Sequence, residues 1–161
     1  MLIALTAVAV VIADQLTTDL AISGLKSGPV HLIGPLFLEL AFNTGVAFSI
    51  GAGLGEPIVV IVVVLVVTCV AFFARSVPSA SLAVACGLVL GGAVGNLADR
   101  LFRSGGAVVD FVRLGFWPTF NLADASIVCG SLLACFLLLR KAPVQKRPPD
   151  AASGQDPRQG P

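Results

Sequence analysis

Charge is what this sequence has least of. Only 12% of its 161 residues are Asp, Glu, Lys or Arg, against about 25% in an ordinary soluble domain. With 57% hydrophobic residues and a mean hydropathy of +0.98, that deficit excludes a water-soluble globular chain and places this one in a bilayer. Histidine is nearly missing too: His31 stands alone, so a Ser-His or Cys-His arrangement has no nearby base, and nothing resembles a nucleophile elbow. A formal net charge of +1 supplies no basic field for a nucleic-acid backbone. The four cysteines, Cys69, Cys86, Cys129 and Cys135, lie inside apolar runs without a CxxC pair. Their expected role is inert apolar packing, not a metal site or a disulfide framework.

Long apolar runs are what the chain does have. Met1 to about Ile22 is long enough to cross the hydrocarbon, which takes ~20 residues. It has no basic leader, and Asp14-Gln15 stand where a secretory signal would carry its small-residue cleavage site, so it reads as a retained transmembrane helix. Pro57 to Ala74 is an unbroken apolar run with Pro at its first turn. Ala80 to about Leu97 follows, with Gly87, Gly91 and Gly95 recurring every four residues, a spacing that lets helix backbones approach closely. Phe120 to Leu139 is the last run, stopped by Arg140-Lys141.

Between the first two runs, Leu36 to Phe42 and Val46 to Ile50 read as short strands around the turn signal Asn43-Thr-Gly45. The expected fold is therefore an all-α polytopic membrane protein. It has four transmembrane helices, at about 1–22, 57–74, 80–97 and 120–139, and a small extracytoplasmic β element at about 30–52. Residues 1–140 form the membrane domain, and 141–161, rich in Pro, Gln and charge, form a disordered cytoplasmic tail. Loop charge weakly favours cytoplasmic termini, which puts the acidic loops at the outer face.

Carboxylates are costly in such a setting, and four of them, Asp14, Asp99, Asp110 and Asp124, fall near one membrane surface. Two carboxylates held close cannot both ionise cheaply, so one keeps a proton while the other takes one from water. That pair suffices to hydrolyse an amide. Asp99 has a plainer role as the partner of Arg100 or Arg103, and Asp14 as a support between helices. Asp110 has apolar neighbours, and Asp124 has Asn121 three residues away on one helix face. Periodicity does not say which two react.

Five motifs in order do. Asp14-Gln15, Asn43-x-Gly45-x-Ala47-Phe48, Asn96-x-x-Asp99-Arg100, Val-Val-Asp110-Phe111 and Phe120-Asn121-x-Ala123-Asp124 together resemble the lipoprotein signal peptidase family, also called signal peptidase II. The resemblance covers residues 1 to about 140. It implies an aspartic endopeptidase of the bacterial inner membrane, cutting prolipoproteins before a diacylglyceryl-modified cysteine. It implies Asp110 and Asp124 as the catalytic pair, with Asp14, Asn43, Gly45, Asn96, Asp99, Arg100 and Asn121 in support. It also implies work without metal or organic cofactor, with membrane lipid as surroundings and the chain acting as a monomer. Two features depart: where the family carries a basic residue after its Ser or Thr, Thr17 is followed here by Thr18, and the link from Asp110 to Asp124 is shorter than is common in the family.

Two other classes compete with this reading. A proton-translocating subunit also keeps carboxylates in the membrane, but at mid-bilayer depth, whereas these cluster at span ends. A non-catalytic assembly protein would make use of the glycine ladder and leave the acids without a purpose.

Overall fold

The computed structural model describes residues 1–44, 79–103 and 105–141. Three helices carry it: α1 (Leu2–Gly24), α2 (Ala80–Phe102) and α3 (Leu122–Lys141). All three are long and apolar enough to cross a membrane; α1, with 23 residues, is about 35 Å long at 1.5 Å per residue. The expected span at 57–74, the strand at 46–50 and the tail beyond 141 lie outside the described residues.

These helices are apolar nearly all round, and their large side chains point outward. Leu5, Val8, Ile12, Leu16 and Leu20 of α1 are exposed, as are Leu132, Phe136, Leu138 and Leu139 of α3. The inside holds small and polar groups instead, among them Asp14, Thr18, Asp99, Asn121 and Ser126. Such a distribution suits a lipid solvent, in which burying Leu gains little and satisfying polar groups gains more. Cys129 and Cys135 are free thiols exposed on α3.

α2 is the central helix, packed along α1 on one side and α3 on the other, while α1 and α3 meet over a shorter stretch. Its glycines make this possible. A Cβ on Gly91 would sit 2.7 Å from the Ala7 carbonyl oxygen and 2.7 Å from Val10 Cβ. On the other face, a Cβ on Gly92 would collide with the Ala123 carbonyl oxygen. The glycine ladder is therefore a packing device, as its spacing suggested. Ser79 caps the start of α2, its Oγ accepting from Leu82 N at 3.3 Å.

Three antiparallel strands, β1 (Val30–Ile33), β2 (Leu36–Asn43) and β3 (Val108–Leu114), form one sheet in the order β1-β2-β3. β2 confirms the strand expected at 36–42. His31 is exposed on β1, as a lone histidine with no ligand neighbours should be. β3 replaces what the sequence suggested was loop, so the fold is helical with a three-stranded sheet. The third span is also longer than 80–97: α2 continues through Asn96, Asp99 and Arg100 to Phe102. Those polar residues recur at three- and four-residue intervals and so share one inward face of the helix, where they find partners instead of ending it.

Candidate active site

Register brings the first two site residues together. β2 and β3 pair Ala41 with Asp110 and Asn43 with Val108, and from that position Asn43 Nδ2 donates to Asp110 Oδ2 at 3.2 Å. The other oxygen, Asp110 Oδ1, is buried and accepts no hydrogen bond among the described residues. Val108, Val109 and Phe111 around it are all buried, and Asp110 itself is 2% exposed.

The chain then turns back. Phe120 and Val112 exchange backbone bonds, Phe120 N to Val112 O at 3.0 Å and Val112 N to Phe120 O at 2.8 Å, and this bridge sets the start of α3 beside β3. Asn121 caps α3, its Oδ1 accepting from Asp124 N at 2.8 Å. Its Nδ2 donates to Asn96 Oδ1 at 3.0 Å, and Asn96 Nδ2 donates to Asp124 Oδ1 at 2.8 Å. Asp124 thus lies in the first turn of α3, where the free backbone N–H groups favour a negative charge. Arg100 donates from Nη1 to the Asn96 carbonyl at 3.2 Å.

Burial bears on the protonation of Asp110. Its carboxyl is pushed from an ordinary 3.8 up to about 7, chiefly by burial and then by the negative charge of Asp124, while the Asn43 hydrogen bond and the Arg100 charge pull the other way. A carboxyl that keeps its proton near neutrality, within the field of a second carboxylate, is the arrangement that lets one group donate a proton while the other accepts one.

Asp14 and Asp99 stand behind this pair, both 1% exposed. Asp14 Oδ1 accepts from Ala123 N at 2.8 Å and Oδ2 from Gln15 Nε2 at 3.2 Å, so it ties α1 to the start of α3. Asp99 is bonded to Arg103, whose Nε donates to its Oδ1 at 2.7 Å, which decides between the two partners the sequence offered. Arg103 also brings a cation to the end of α1, where Thr18 is wholly buried.

Asp14, Asn43, Asn96, Asp99, Arg100, Asp110, Asn121 and Asp124 are thereby linked through one set of bonds and charges. Gly45 lies outside the described residues. Gln15 contributes more than its place in a motif implied, donating to both Asp14 and Asp99. Arg103 was offered by the sequence only as a partner of Asp99; its bonds to Gln15 and Asp19 on α1 carry no local signal. Among the described residues, no group of three or more His, Cys, Asp or Glu is arranged to hold a metal ion.

A groove of about 240 Å³ opens beside Asp124, lined also by Trp117, Phe120, Ala125, Val128 and Cys129. Apart from that carboxylate its walls are apolar, and Trp117, in the turn after β3, and Val128 of α3 are exposed.

Residues 6–140 match the family model described as signal peptidase (SPase) II. The chain is similar to the lipoprotein signal peptidase of Rhodococcus jostii, 46% identical over 136 residues that cover 81% of this chain and 68% of that one. With the lipoprotein signal peptidase of Syntrophomonas wolfei it shares 42% identity over 106 residues, 66% of this chain and 70% of the relative. A solved bacterial membrane enzyme superposes with a TM-score of 0.78 at 30% identity, covering 89% of this chain and 91% of that one.

Proposed function

The chain belongs to the signal peptidase II family, and from that premise we propose that it is an intramembrane aspartic endopeptidase acting on prolipoproteins. It removes their signal peptides, cutting before the cysteine that carries a diacylglyceryl group. The observation that carries the aspartic mechanism is the pair formed by Asp110 and Asp124. Each is engaged by an asparagine from another element, and one oxygen of Asp110 accepts no hydrogen bond among the described residues.

In this reading Asp110 holds the shared proton and gives it to the departing amine, while Asp124 takes a proton from the attacking water. Asn43, Asn96 and Asn121 keep the two carboxylates in place, and Arg100 offsets the negative charge that builds up as the tetrahedral intermediate forms. The apolar groove beside Asp124 is the way in: an acyl chain sliding from lipid along Trp117 and Val128 brings the scissile bond to the carboxylates without crossing water. Asp14 and Asp99 hold the elements together. The enzyme sits in the bacterial inner membrane as a monomer, with cytoplasmic termini and its site near the outer face, where a secreted precursor emerges.

Purified protein in detergent, incubated with a diacylglyceryl-modified precursor, should release a shortened lipoprotein. Asp110→Asn and Asp124→Asn should each lower the rate by about a thousandfold or more while both variants accumulate in membranes. Full activity in either variant would remove the assignment of the pair.

A further inference from the structure

Asp99 touches neither reacting carboxylate, yet its bonds end one residue from Asp110. Its Oδ1 accepts from Gln15 Nε2 at 2.9 Å and from Arg103 Nε at 2.7 Å, and its Oδ2 accepts from the backbone N of Val109 at 3.1 Å. Val109 stands opposite Phe42 of β2, but among the described residues β3 is an edge strand, and the Val109 N–H is given to Asp99 instead of to a strand. Its carbonyl is taken by Asn121 Nδ2 at 3.4 Å. Both outward backbone groups of the residue before Asp110 are therefore held by side chains.

Arg103 is itself fixed from three directions. Besides Asp99, its Nη2 donates to Gln15 Oε1 at 3.1 Å and its Nη1 to Asp19 Oδ1 at 2.9 Å. A planar guanidinium with five donors can meet three acceptors at once, which a single ammonium nitrogen does less well. Gln15 closes the ring, giving its amide N–H to Asp99 and receiving one from Arg103. The Asp99 carboxylate thus has one orientation available, the one that points Oδ2 at Val109.

We propose that Arg103 and Gln15 are positioning residues for peptide cleavage: they orient Asp99, whose grip on Val109 fixes β3 and so the place of Asp110 opposite Asp124. The inference rests on the catalytic reading of Asp110 and Asp124. Without Arg103, the buried Asp99 carboxylate loses a charge-assisted bond and is free to turn away from Val109. That change loosens the strand at the residue next to the reacting one. Misplacement by about 1 Å is enough to cost up to a hundredfold in rate.

The test is steady-state kinetics on a lipidated precursor, with thermal melting and membrane accumulation measured alongside. Arg103→Gln should lower kcat at least about tenfold and leave KM within about twofold, because Arg103 does not contact substrate. Gln15→Met should lower kcat in the same way. The double variant should be no slower than the worse single one, since both act through one carboxylate. Arg113→Gln, which removes the 2.7 Å ion pair to Glu39 on β2 from the far end of β3, should keep its kcat. Unchanged kcat in Arg103→Gln, a loss confined to KM, additive losses, or an equal fall in Arg113→Gln would each overturn the proposal. Should Arg103→Gln fail to accumulate, Gln15→Met decides alone, and a normal kcat there overturns it. Asp110→Asn in the same assay separates the two layers: if it is inactive while Arg103→Gln is fully active, only the positioning role falls.

Discussion

Asn43 and Asp110 meet across two strands that the sequence places far apart, and the bond between them sets a pH dependence. Asp110 is pushed up to about 7 by burial and by the charge of Asp124. Its acid form is present below that value and lost above it. If Asp110 delivers the proton to the leaving amine, kcat falls on the alkaline side as pH rises through about 7. The Asn43 hydrogen bond favours the ionised form, so Asn43→Ala should move the alkaline limb to higher pH. Profiles of kcat measured between about pH 5 and 9 check both statements. An unmoved limb would mean that Asp110 is not the group that titrates. At this scale the sequence is informative about identities: the aspartates and asparagines stand in recognisable motifs. It is silent about partners, because the contact of Asn43 with Asp110 depends on a strand register no local pattern encodes.

Among the elements, α2 was legible in kind and not in length. The change from apolar to polar at Asn96 looks like an exit from the membrane, yet Asn96, Asp99, Arg100 and Arg103 are helix or helix-end residues facing other protein groups. β3 was missed for a related reason. Val108 to Phe111 is buried without alternation, so the period of two that marks a half-exposed strand does not exist there. The glycines, in contrast, were read correctly. Gly91→Val should drive α1 away from α2, because its new atoms start 2.7 Å from the Ala7 carbonyl. The cost is about 1–3 kcal/mol for overpacking, seen as a lower melting temperature in detergent. Gly24→Ala serves as the comparison, since a Cβ there meets nothing within 4 Å, and it should melt like the parent protein.

As a whole, the described molecule has its polar groups inside and its large apolar ones outside, so its stability responds to protons more than that of a hydrophobic core would. The sign follows from Asp110. Its ordinary value is 3.8 and its folded value about 7, so between those limits the folded state holds a proton that the unfolded chain has released. Stability contributed by this group therefore declines as pH rises through that window and levels off above about 7. The melting temperature should be higher near pH 5 than near pH 8, and Asp110→Asn should flatten the difference. An equal slope in parent and variant would assign the effect to other carboxylates. Composition announced the bilayer, where ionisable groups are costly unless they find partners. It did not announce that the charges would be shared among three helices and a sheet.

One of those shared bonds has a consequence in time. The first turn of α3 is held at Ala123 N by Asp14 of α1, so the earliest of the described helices to be synthesised supplies a cap to the latest. The start of α3 therefore takes its final place after α1 is already made, and if Asp124 is a reacting group, a nascent chain halted before Phe120 should carry most of the supporting residues without cutting a lipidated precursor.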